Sequence, residues 1–194
     1  YKGWSPTLFL GVMVAGKTLG LIGSGRIGAA VAQRALAMGM KVVYSDVKRN
    51  PSFAKKYKAK FLKQEELLKV SDFVSLHVPL LPSTHHLISS RELKLMKPTA
   101  YLINTARGPV VDEKALTFAL ENKQIAGAAL DVFECEPAID CDLTDTHSLR
   151  PLDNVILTPH TASASIEARS QMGEIAAGNI IAVLKGKKPL TPAH

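Results

Sequence analysis

The sequence predicts an α/β fold in which helices cover both faces of a doubly wound parallel sheet. Short apolar runs rich in β-branched residues recur along the chain, and helical stretches separate them, which is the pattern of alternating β and α units. The runs are apolar throughout rather than alternating, as expected of strands buried on both faces. With 194 residues, 46% of them hydrophobic, the chain is long enough to bury a sizeable core.

The apolar runs place the strands, and the segments between them place the helices. Strands are predicted at Thr18–Ile22, Lys41–Ser45, Phe73–Leu76, Ala100–Asn104, Gly127–Asp131 and Val155–Leu157, with a short extra strand near Ala59–Leu62. Helices are predicted at Arg26–Met38, Gln64–Lys69, Ser90–Met96, Glu113–Glu121 and Ser163–Lys185. Pro98 and Pro109 mark breaks, and residues 135–151 are predicted to form a long irregular loop, a feature of functional segments in compact domains.

The net charge of +7 raises the question of a nucleic-acid partner. The lysines are scattered, apart from clusters at Lys55–Lys63 and Lys185–Lys188, and no aromatic residues are interleaved with them as in a base-stacking surface. A solvated basic surface is therefore favoured, and such a surface also attracts anionic ligands. We predict no nucleic-acid partner.

The sequence also argues against a membrane segment and a metal site. No apolar run approaches the roughly 20 residues that cross a bilayer, and residues 1–10 lack the pattern of a secretory signal. Cys135 and Cys141 have no zinc-type spacing and make no disulfide framework. The chain is therefore predicted to be cytoplasmic, with reduced thiols.

A glycine-rich segment follows the first predicted strand. The stretch KTLGLIGSGRIG, which begins at position 17, contains the pattern G-x-G-x-x-G at Gly23, Gly25 and Gly28. Glycines that serve only a tight turn are the simpler alternative, but the strand before them and the alanine-rich helix after them favour a Rossmann-type dinucleotide-binding loop. Gly23 then makes the turn, Gly25 admits the pyrophosphate and Gly28 lets the helix pack closely. The amides of Arg26 and Ile27 point at the phosphates.

An acidic residue ends the second predicted strand. Asp46 lies 18 positions beyond Gly28, where a carboxylate accepts hydrogen bonds from the ribose hydroxyls and repels a 2′-phosphate. NAD(H) is therefore favoured over NADP(H). Lys48 and Arg49 follow directly, and pairing with a phosphate would weaken that preference.

Three stretches that follow predicted strands carry residues of catalytic type. They are INTARGPVVD at Ile103–Asp112, AALDVFECEP at Ala128–Pro137 and LTPHTAS at Leu157–Ser163. All three are predicted to lie at the carboxyl edge of the sheet, where open α/β sheets bind ligands. Together with the glycine loop and SDFVSLHVPL at Ser71–Leu80, they resemble the NAD-binding domain of the D-isomer specific 2-hydroxyacid dehydrogenase family.

The resemblance runs from about Gly3 to Pro189 and implies a domain organisation. The stretches KGWSPTLFLG and GKKPLTP, near the two ends, are most similar to the glyoxylate/hydroxypyruvate reductase branch. Residues 1–16 correspond to an interdomain crossover, residues 17–186 to the NAD-binding domain and residues 187–194 to a tail leading toward a separate substrate domain. That substrate domain is largely absent, so we expect a truncated chain.

The resemblance assigns three catalytic residues. Arg107 binds the carboxylate and keto oxygen of the substrate, since its planar fork holds two oxygens at once. His160 is the acid/base that donates a proton to the keto oxygen. Glu136 orients that imidazole and favours its charged form.

The resemblance also assigns the cofactor contacts. Asp131 holds the nicotinamide carboxamide, Val78 and Pro79 line the adenosine side, and Thr105 and Ala106 face the nicotinamide. The full set is Gly23, Gly25, Arg26, Ile27, Gly28, Asp46, Val78, Pro79, Thr105, Ala106, Asp131 and Ser163.

Some of these assignments have simpler alternatives. Glu134 competes with Glu136, which we prefer because it stands before Pro137 as in the family motif. Outside the resemblance, a lone histidine such as His160 is more often a packed core residue. Formate dehydrogenases share the fold but carry glutamine at the position of Glu136, so the pair of Glu136 and His160 favours a keto acid substrate.

The remaining polar residues are interpreted as structural or surface residues. They are Asp112 and the other histidines, His77, His85, His86, His147 and His194. Ser24 stands where the family usually has an apolar residue, and we expect it to change little.

The expected function is hydride transfer between nicotinamide and a small 2-keto or 2-hydroxy acid, as in a glyoxylate or hydroxypyruvate reductase. A sugar-derived keto acid or 3-phosphoglycerate is another substrate within that class. The alternative is a non-catalytic NAD(H)-sensing interaction module, of the kind found in corepressors that resemble this family. The resemblance further implies a homodimer formed through the nucleotide-binding domain.

Overall fold

The computed structural model describes residues 3–8, 10–136 and 149–192. They form two compact units, residues 1–157 and residues 158–194, and each is described by itself. The first unit is built on a seven-stranded parallel sheet, which confirms the predicted fold class. Its strands are β1 Thr18–Ile22, β2 Lys41–Ser45, β3 Lys60–Phe61, β4 Phe73–Leu76, β5 Tyr101–Asn104, β6 Gly127–Leu130 and β7 Val155–Leu157, in the spatial order β3-β2-β1-β4-β5-β6-β7.

Helices connect the strands of the first unit, and one long helix makes up most of the second. In the first unit they are α1 Arg26–Ala37, α2 Pro51–Tyr57, α3 Gln64–Val70, α4 Ser90–Leu95 and α5 Glu113–Glu121, with a short 3₁₀ helix at Gly108–Val110. In the second unit α6 spans Ile166–Leu184. None of the helices in the described parts of the chain is both long and apolar enough to cross a membrane.

The sequence-based bounds agree closely with the observed ones, with two differences that have a physical cause. Helix α2 was not predicted. It is only seven residues long, and Asn50 starts it by accepting a hydrogen bond from the Phe53 amide at 3.0 Å. Helix α6 begins three residues later than predicted because the Ser165 side chain caps it, accepting from the Ala168 amide at 3.1 Å. Most of the predicted loop, residues 137–148, lies outside the described residues.

Two buried apolar clusters hold the sheet between them. The larger joins the sheet to α3, α4 and α5 through residues such as Leu67, Leu93 and Leu116. The smaller joins it to α1 and α2 and centres on the fully buried Tyr44, whose ring lies 4.8 Å from that of Phe53. Burial on both faces explains why the strands are apolar throughout. The polar residues that follow each strand are consequently left at the carboxyl edge.

One half-buried histidine lies at that edge. His77 follows β4, and its Nε2 lies 3.0 Å from the Ser75 hydroxyl. Burial lowers the pKa of His77 from its ordinary 6.5 to about 4. The folded protein therefore holds a neutral imidazole here at pH values at which an exposed histidine is charged.

The lowered pKa of His77 predicts a pH-dependent loss of stability. Between pH 6.5 and 4 the unfolded chain binds a proton at His77 that the folded chain does not, so the free energy of unfolding falls as the pH falls through this window. By pH 4.5 the loss reaches about 2.5 kcal/mol. His77→Asn has no imidazole to protonate, so its stability lacks this pH-dependent loss. Between pH 7 and pH 4.5, wild type should therefore lose about 2.5 kcal/mol of unfolding free energy relative to His77→Asn, as measured by urea titrations.

The pH dependence of the difference in unfolding free energy between wild type and His77→Asn is the decisive quantity. If the free energies of unfolding of wild type and His77→Asn differed by the same amount at every pH, the lowered pKa of His77 would be contradicted.

Candidate functional site

A cavity of about 710 Å³ opens at the carboxyl edge of the sheet, in the first unit. It lies where β1 and β4 are neighbours and the strand order reverses, the position at which open α/β sheets bind ligands. Three loops line it, those that follow β1, β4 and β5. The lining residues are Gly25, Arg26, Ile27, His77, Val78, Pro79, Leu80, Thr105, Ala106 and Arg107.

The three glycines of the loop after β1 differ in their surroundings. Gly23 has φ +104°, and a Cβ there would lie 2.5 Å from the carbonyl oxygen of His77. A Cβ on Gly28 would lie 2.3 Å from the carbonyl oxygen of Gly23. Gly25 is different, because a Cβ there would meet no atom of the described residues within 4 Å. Packing thus requires the first and third glycines, whereas the open space above Gly25 belongs to the cavity.

The N-terminus of α1 at this cavity is suited to an anion. No side chain caps the helix at Gly25, and its first turn contains no acidic residue. The amides of a first helical turn have no partner within the helix, and the helix dipole adds a partial positive charge. Arg26 lines the same cavity. A pyrophosphate fits this donor set, which matches the cofactor suggested by the glycine pattern.

Asp46 follows β2 and is held in place by Ser24. One carboxylate oxygen of Asp46 accepts both the Ser24 amide at 2.8 Å and the Ser24 hydroxyl at 2.5 Å, and the other accepts the Val47 amide at 2.8 Å. The Asn50 side-chain amide donates to the Ser24 hydroxyl oxygen at 3.3 Å. Ser24 therefore has a structural role that the sequence analysis did not give it.

The two cations after Asp46 differ in their contacts. The guanidinium of Arg49 lies over the Phe61 ring, 5.3 Å from its centroid, in a cation–π arrangement. Lys48 is exposed. From the sequence, both cations were expected to be able to pair with a 2′-phosphate. At Arg49 the contact with Phe61 competes with such pairing.

Arg107 lies in a turn that hydrogen bonds from the end of β5 hold in place. The buried side chain of Asn104, at the end of β5, donates to the Arg107 carbonyl at 2.9 Å and accepts the Ala106 amide at 3.0 Å. Arg107 itself has extended backbone and precedes the 3₁₀ helix. Its guanidinium Nη1 donates to the Ala106 carbonyl at 2.6 Å, and its side chain lines the cavity. The turn thus presents an exposed guanidinium on a rigid base.

The segment that carries Glu136 packs directly on this turn. A Cβ on Gly108 would lie 1.9 Å from the carbonyl carbon and oxygen of Phe133, so the two backbones touch. Asp131 is buried, and its amide donates to the Asn104 carbonyl at 3.0 Å. Glu136 is half-buried, and its amide donates to the Phe133 carbonyl at 3.3 Å. Segment 131–136 and the Arg107 turn are therefore one packed body.

Glu134, the alternative to Glu136, is committed to other partners. Its carboxylate accepts the Glu113 amide at 3.1 Å and lies 2.8 Å from the Nε2 of His86. These contacts point it toward α5, so they give no support to a catalytic role for Glu134.

His160 and Ser163 belong to the second unit. His160 has φ +54°, a left-handed conformation that is uncommon for a residue other than glycine, and its amide donates to the Thr158 carbonyl at 3.0 Å. Strained backbone of this kind is enriched at functional sites. The pairing of His160 with Glu136 and the contact of Ser163 with the cofactor stay predictions.

Eight of the fifteen site residues predicted from the sequence line the cavity, and they come from the glycine loop, the segment after β4 and the first of the three catalytic stretches. The eight are Gly25, Arg26, Ile27, Val78, Pro79, Thr105, Ala106 and Arg107. Convergence of the other two stretches on this cavity stays a prediction. His77 and Leu80 also line it but were not predicted. Their positions on either side of Val78 and Pro79 could have indicated them.

Comparison with known proteins agrees with this geometry. A family model described as D-isomer specific 2-hydroxyacid dehydrogenase, NAD binding domain, matches residues 1–162. The glyoxylate reductase of Thermococcus litoralis is 51% identical over 187 residues, which make up 96% of this chain and 55% of that protein.

Solved structures are similar over nearly the whole chain. The D-lactate dehydrogenase with NAD⁺ from Lactobacillus jensenii has a TM-score of 0.88 at 37% identity, covering 98% of this chain and 59% of that one. A glyoxylate reductase from Paecilomyes thermophila has a TM-score of 0.85 at 36% identity, covering 97% and 55%. This chain spans little more than half the length of these relatives. The chain belongs to the D-isomer specific 2-hydroxyacid dehydrogenase family and carries that family's NAD-binding domain.

Proposed function

We propose that this chain is the NAD(H)-binding part of an oxidoreductase that transfers hydride between nicotinamide and a small 2-keto or 2-hydroxy acid. The observation that carries the proposal is the cavity at the β1–β4 edge, because it joins an anion-binding helix N-terminus to an exposed arginine. The first feature suits a dinucleotide, and the second suits a carboxylate substrate.

The cofactor is held by the residues of the three loops. The amides at Arg26 and Ile27 bind the pyrophosphate above Gly25, where the open space allows close approach. Val78 and Pro79 line the adenosine side, and Thr105, Ala106 and Asp131 the nicotinamide side. Bound NAD(H) supplies the hydride donor or acceptor. Ser163 is proposed to complete the set from the second unit.

Asp46 favours NAD(H) over NADP(H). Ser24 and Val47 donate three hydrogen bonds to its carboxylate, and these bonds fix the orientation of the carboxylate. A fixed negative charge accepts the ribose hydroxyls and repels a 2′-phosphate. The stacking of Arg49 on Phe61 favours the same preference, since it gives that guanidinium another partner.

The chemistry is proposed to need three side chains. Arg107 holds the substrate carboxylate and keto oxygen with its planar fork. His160 donates a proton to the keto oxygen as hydride arrives at the adjacent carbon, and takes the proton back in the reverse reaction. Glu136 accepts a hydrogen bond from that imidazole, which orients the ring and favours its charged form. The commitment of Glu134 to His86 and Glu113 supports this choice of glutamate.

Glyoxylate or hydroxypyruvate is the proposed substrate, by similarity to the glyoxylate reductases named above. Those relatives are reductases and dehydrogenases, and they give no support to a non-catalytic interaction module. By resemblance to the family we also propose a cytoplasmic homodimer that associates through the nucleotide-binding domain.

The contrast between two glycines tests the cofactor site. Gly25→Ala should leave the free energy of unfolding within about 0.5 kcal/mol of wild type, because the new methyl group meets no protein atom. The same methyl group occupies the space needed by the pyrophosphate, so the Kd for NADH, measured by fluorescence titration, should rise at least about tenfold. Gly23→Ala is the matched change, expected to destabilise the fold itself because of its positive φ and the His77 carbonyl. Wild-type NADH affinity in Gly25→Ala would refute the assignment of this loop.

Replacement of Asp46 tests the choice of cofactor. Asp46→Ser removes the charge that repels a 2′-phosphate, so the ratio of the NADPH Kd to the NADH Kd should fall by about tenfold or more. Asp153→Ser, at an exposed aspartate that does not line the cavity, changes the net charge equally and should leave the ratio unaltered. An unchanged ratio in Asp46→Ser would remove the basis for the NAD(H) preference.

Replacement of Arg107 tests the substrate site in the full protein. Arg107→Lys keeps the charge but loses the planar fork, so kcat/KM for glyoxylate should fall about 100-fold, roughly 2.7 kcal/mol of transition-state stabilisation. The NADH Kd should change little. Arg150→Lys, at an exposed site that does not line the cavity, should keep wild-type kinetics. If the full protein turns over no small 2-keto acid with NADH, the proposed function is wrong.

A further inference from the structure

Four side chains form a second polar cluster beside the cavity, which we call the clasp: His86, Asp112, Glu113 and Glu134. Glu113 and Glu134 are joined reciprocally, since each carboxylate accepts the backbone amide of the other residue, at 2.5 Å and 3.1 Å. The imidazole of His86 lies between two acids, with Nε2 at 2.8 Å from Glu134 and Nδ1 at 4.0 Å from Asp112. From the sequence, Glu134 was considered only as the alternative to Glu136, and His86 and Asp112 were interpreted as structural or surface residues.

The clasp contains the donor types of a metal site, but its geometry indicates another purpose. The Nε2 of His86 lies at hydrogen-bond distance from Glu134, and its Nδ1 lies 4.0 Å from Asp112. The acids also accept the amides of Glu113 and Ala115 at the N-terminus of α5, where the helix dipole disfavours a cation such as a metal ion. The contacts are those of a hydrogen-bonded network.

The clasp joins three segments that are distant in sequence. The first contains His86, whose amide donates to the Pro109 carbonyl at 2.8 Å. The second begins with the Arg107 turn and continues into α5, where the Asp112 side chain caps the helix. The third is segment 131–136, which lies over Gly108 and carries Glu136. Side chains of the clasp therefore hold the third segment against the second.

The backbone of His86 shows that this arrangement is imposed by its surroundings. His86 has φ +48°, a conformation that costs a residue other than glycine some free energy. The contacts of its ring and amide offset that cost. Its position brings an imidazole between two carboxylates, those of Asp112 and Glu134, while the nearly fully buried Glu113 accepts the Glu134 amide. The Ser89 hydroxyl also donates to Asp112, at 2.8 Å, so His86 matters as the side chain that links Asp112 to Glu134. Without it, segment 131–136 loses this link to the start of α5.

We infer that His86 is a positioning residue that holds segment 131–136, and with it the Glu136 carboxylate, in place beside Arg107. The inference rests on the proposed function for the role of Glu136. His86 does not touch the reacting atoms in this account. It acts through Glu134, two residues before the catalytic glutamate.

Hydrogen–deuterium exchange and kinetics of the full protein, with NADH present, test the inference together. His86→Asn is the disrupting variant, because asparagine tolerates a positive φ but its amide is too short to replace Nε2 at Glu134. Exchange in peptides covering 131–136 should become about tenfold faster, and kcat with glyoxylate should fall about tenfold. The NADH Kd should stay within about twofold of wild type, because His86 does not line the cavity.

Two further variants separate positioning from a general loss of stability. His86→Gln returns an amide donor at the position of Nε2 and should recover most of the kcat and the slow exchange. His85→Asn removes the neighbouring imidazole, whose ring centroid lies 4.0 Å from that of His86, and should match wild type in both readouts.

The outcomes separate the inference from the proposed function. Unchanged exchange at 131–136 in His86→Asn overturns the inference, and so does faster exchange with wild-type kcat. If the wild-type protein reduces no keto acid while His86→Asn still speeds exchange at 131–136, the clasp is supported as the element that holds this segment and the proposed function is the part that fails.

Discussion

The close approach of two backbones at the β1–β4 edge is the constraint on which the site depends. Gly23 lies against the carbonyl of His77, and Gly28 lies against the carbonyl of Gly23, so the turn, the strand and the first helix meet without intervening side chains. This packing aims the uncapped start of α1 into the cavity between the strands. It also encloses His77 well enough to lower its pKa to about 4, which keeps an uncharged ring beside the cavity at neutral pH.

A second backbone contact repeats this principle on the other side of the cavity. Phe133 lies on Gly108, one residue after Arg107, and leaves no room for a Cβ. Asn104 supports the same turn from within the sheet. The guanidinium thus stands on main chain that is fixed from two directions, which preorganises it for a planar anion. The clasp holds the same segment, 131–136, at a further point, through the contacts of Glu134 with His86 and the Glu113 amide.

Features encoded locally could be predicted from the sequence, and features that arise from distant contacts could not. The strands follow from apolar runs, and the glycine loop and the Arg107 turn follow from short motifs, so several residues named from the sequence are among those that line the cavity. Helix α2 escaped prediction because seven residues are too few to show a helical period. The bond between Ser24 and Asp46 joins residues 22 positions apart, and that between His86 and Glu134 joins residues farther apart still, so no local pattern carries either one.

The network around Ser24 has a consequence for redesign of cofactor preference. Asn50 bonds to Ser24 with its side chain and to the Tyr44 hydroxyl with its backbone, and the same residue caps α2. A new residue at position 46 would leave the Ser24 hydroxyl and amide without their acceptor, next to the aromatic cluster that Tyr44 anchors. A change of cofactor preference at position 46 is therefore coupled to the stability of this corner of the fold, and a companion change at Ser24 or Asn50 would restore hydrogen-bond partners there.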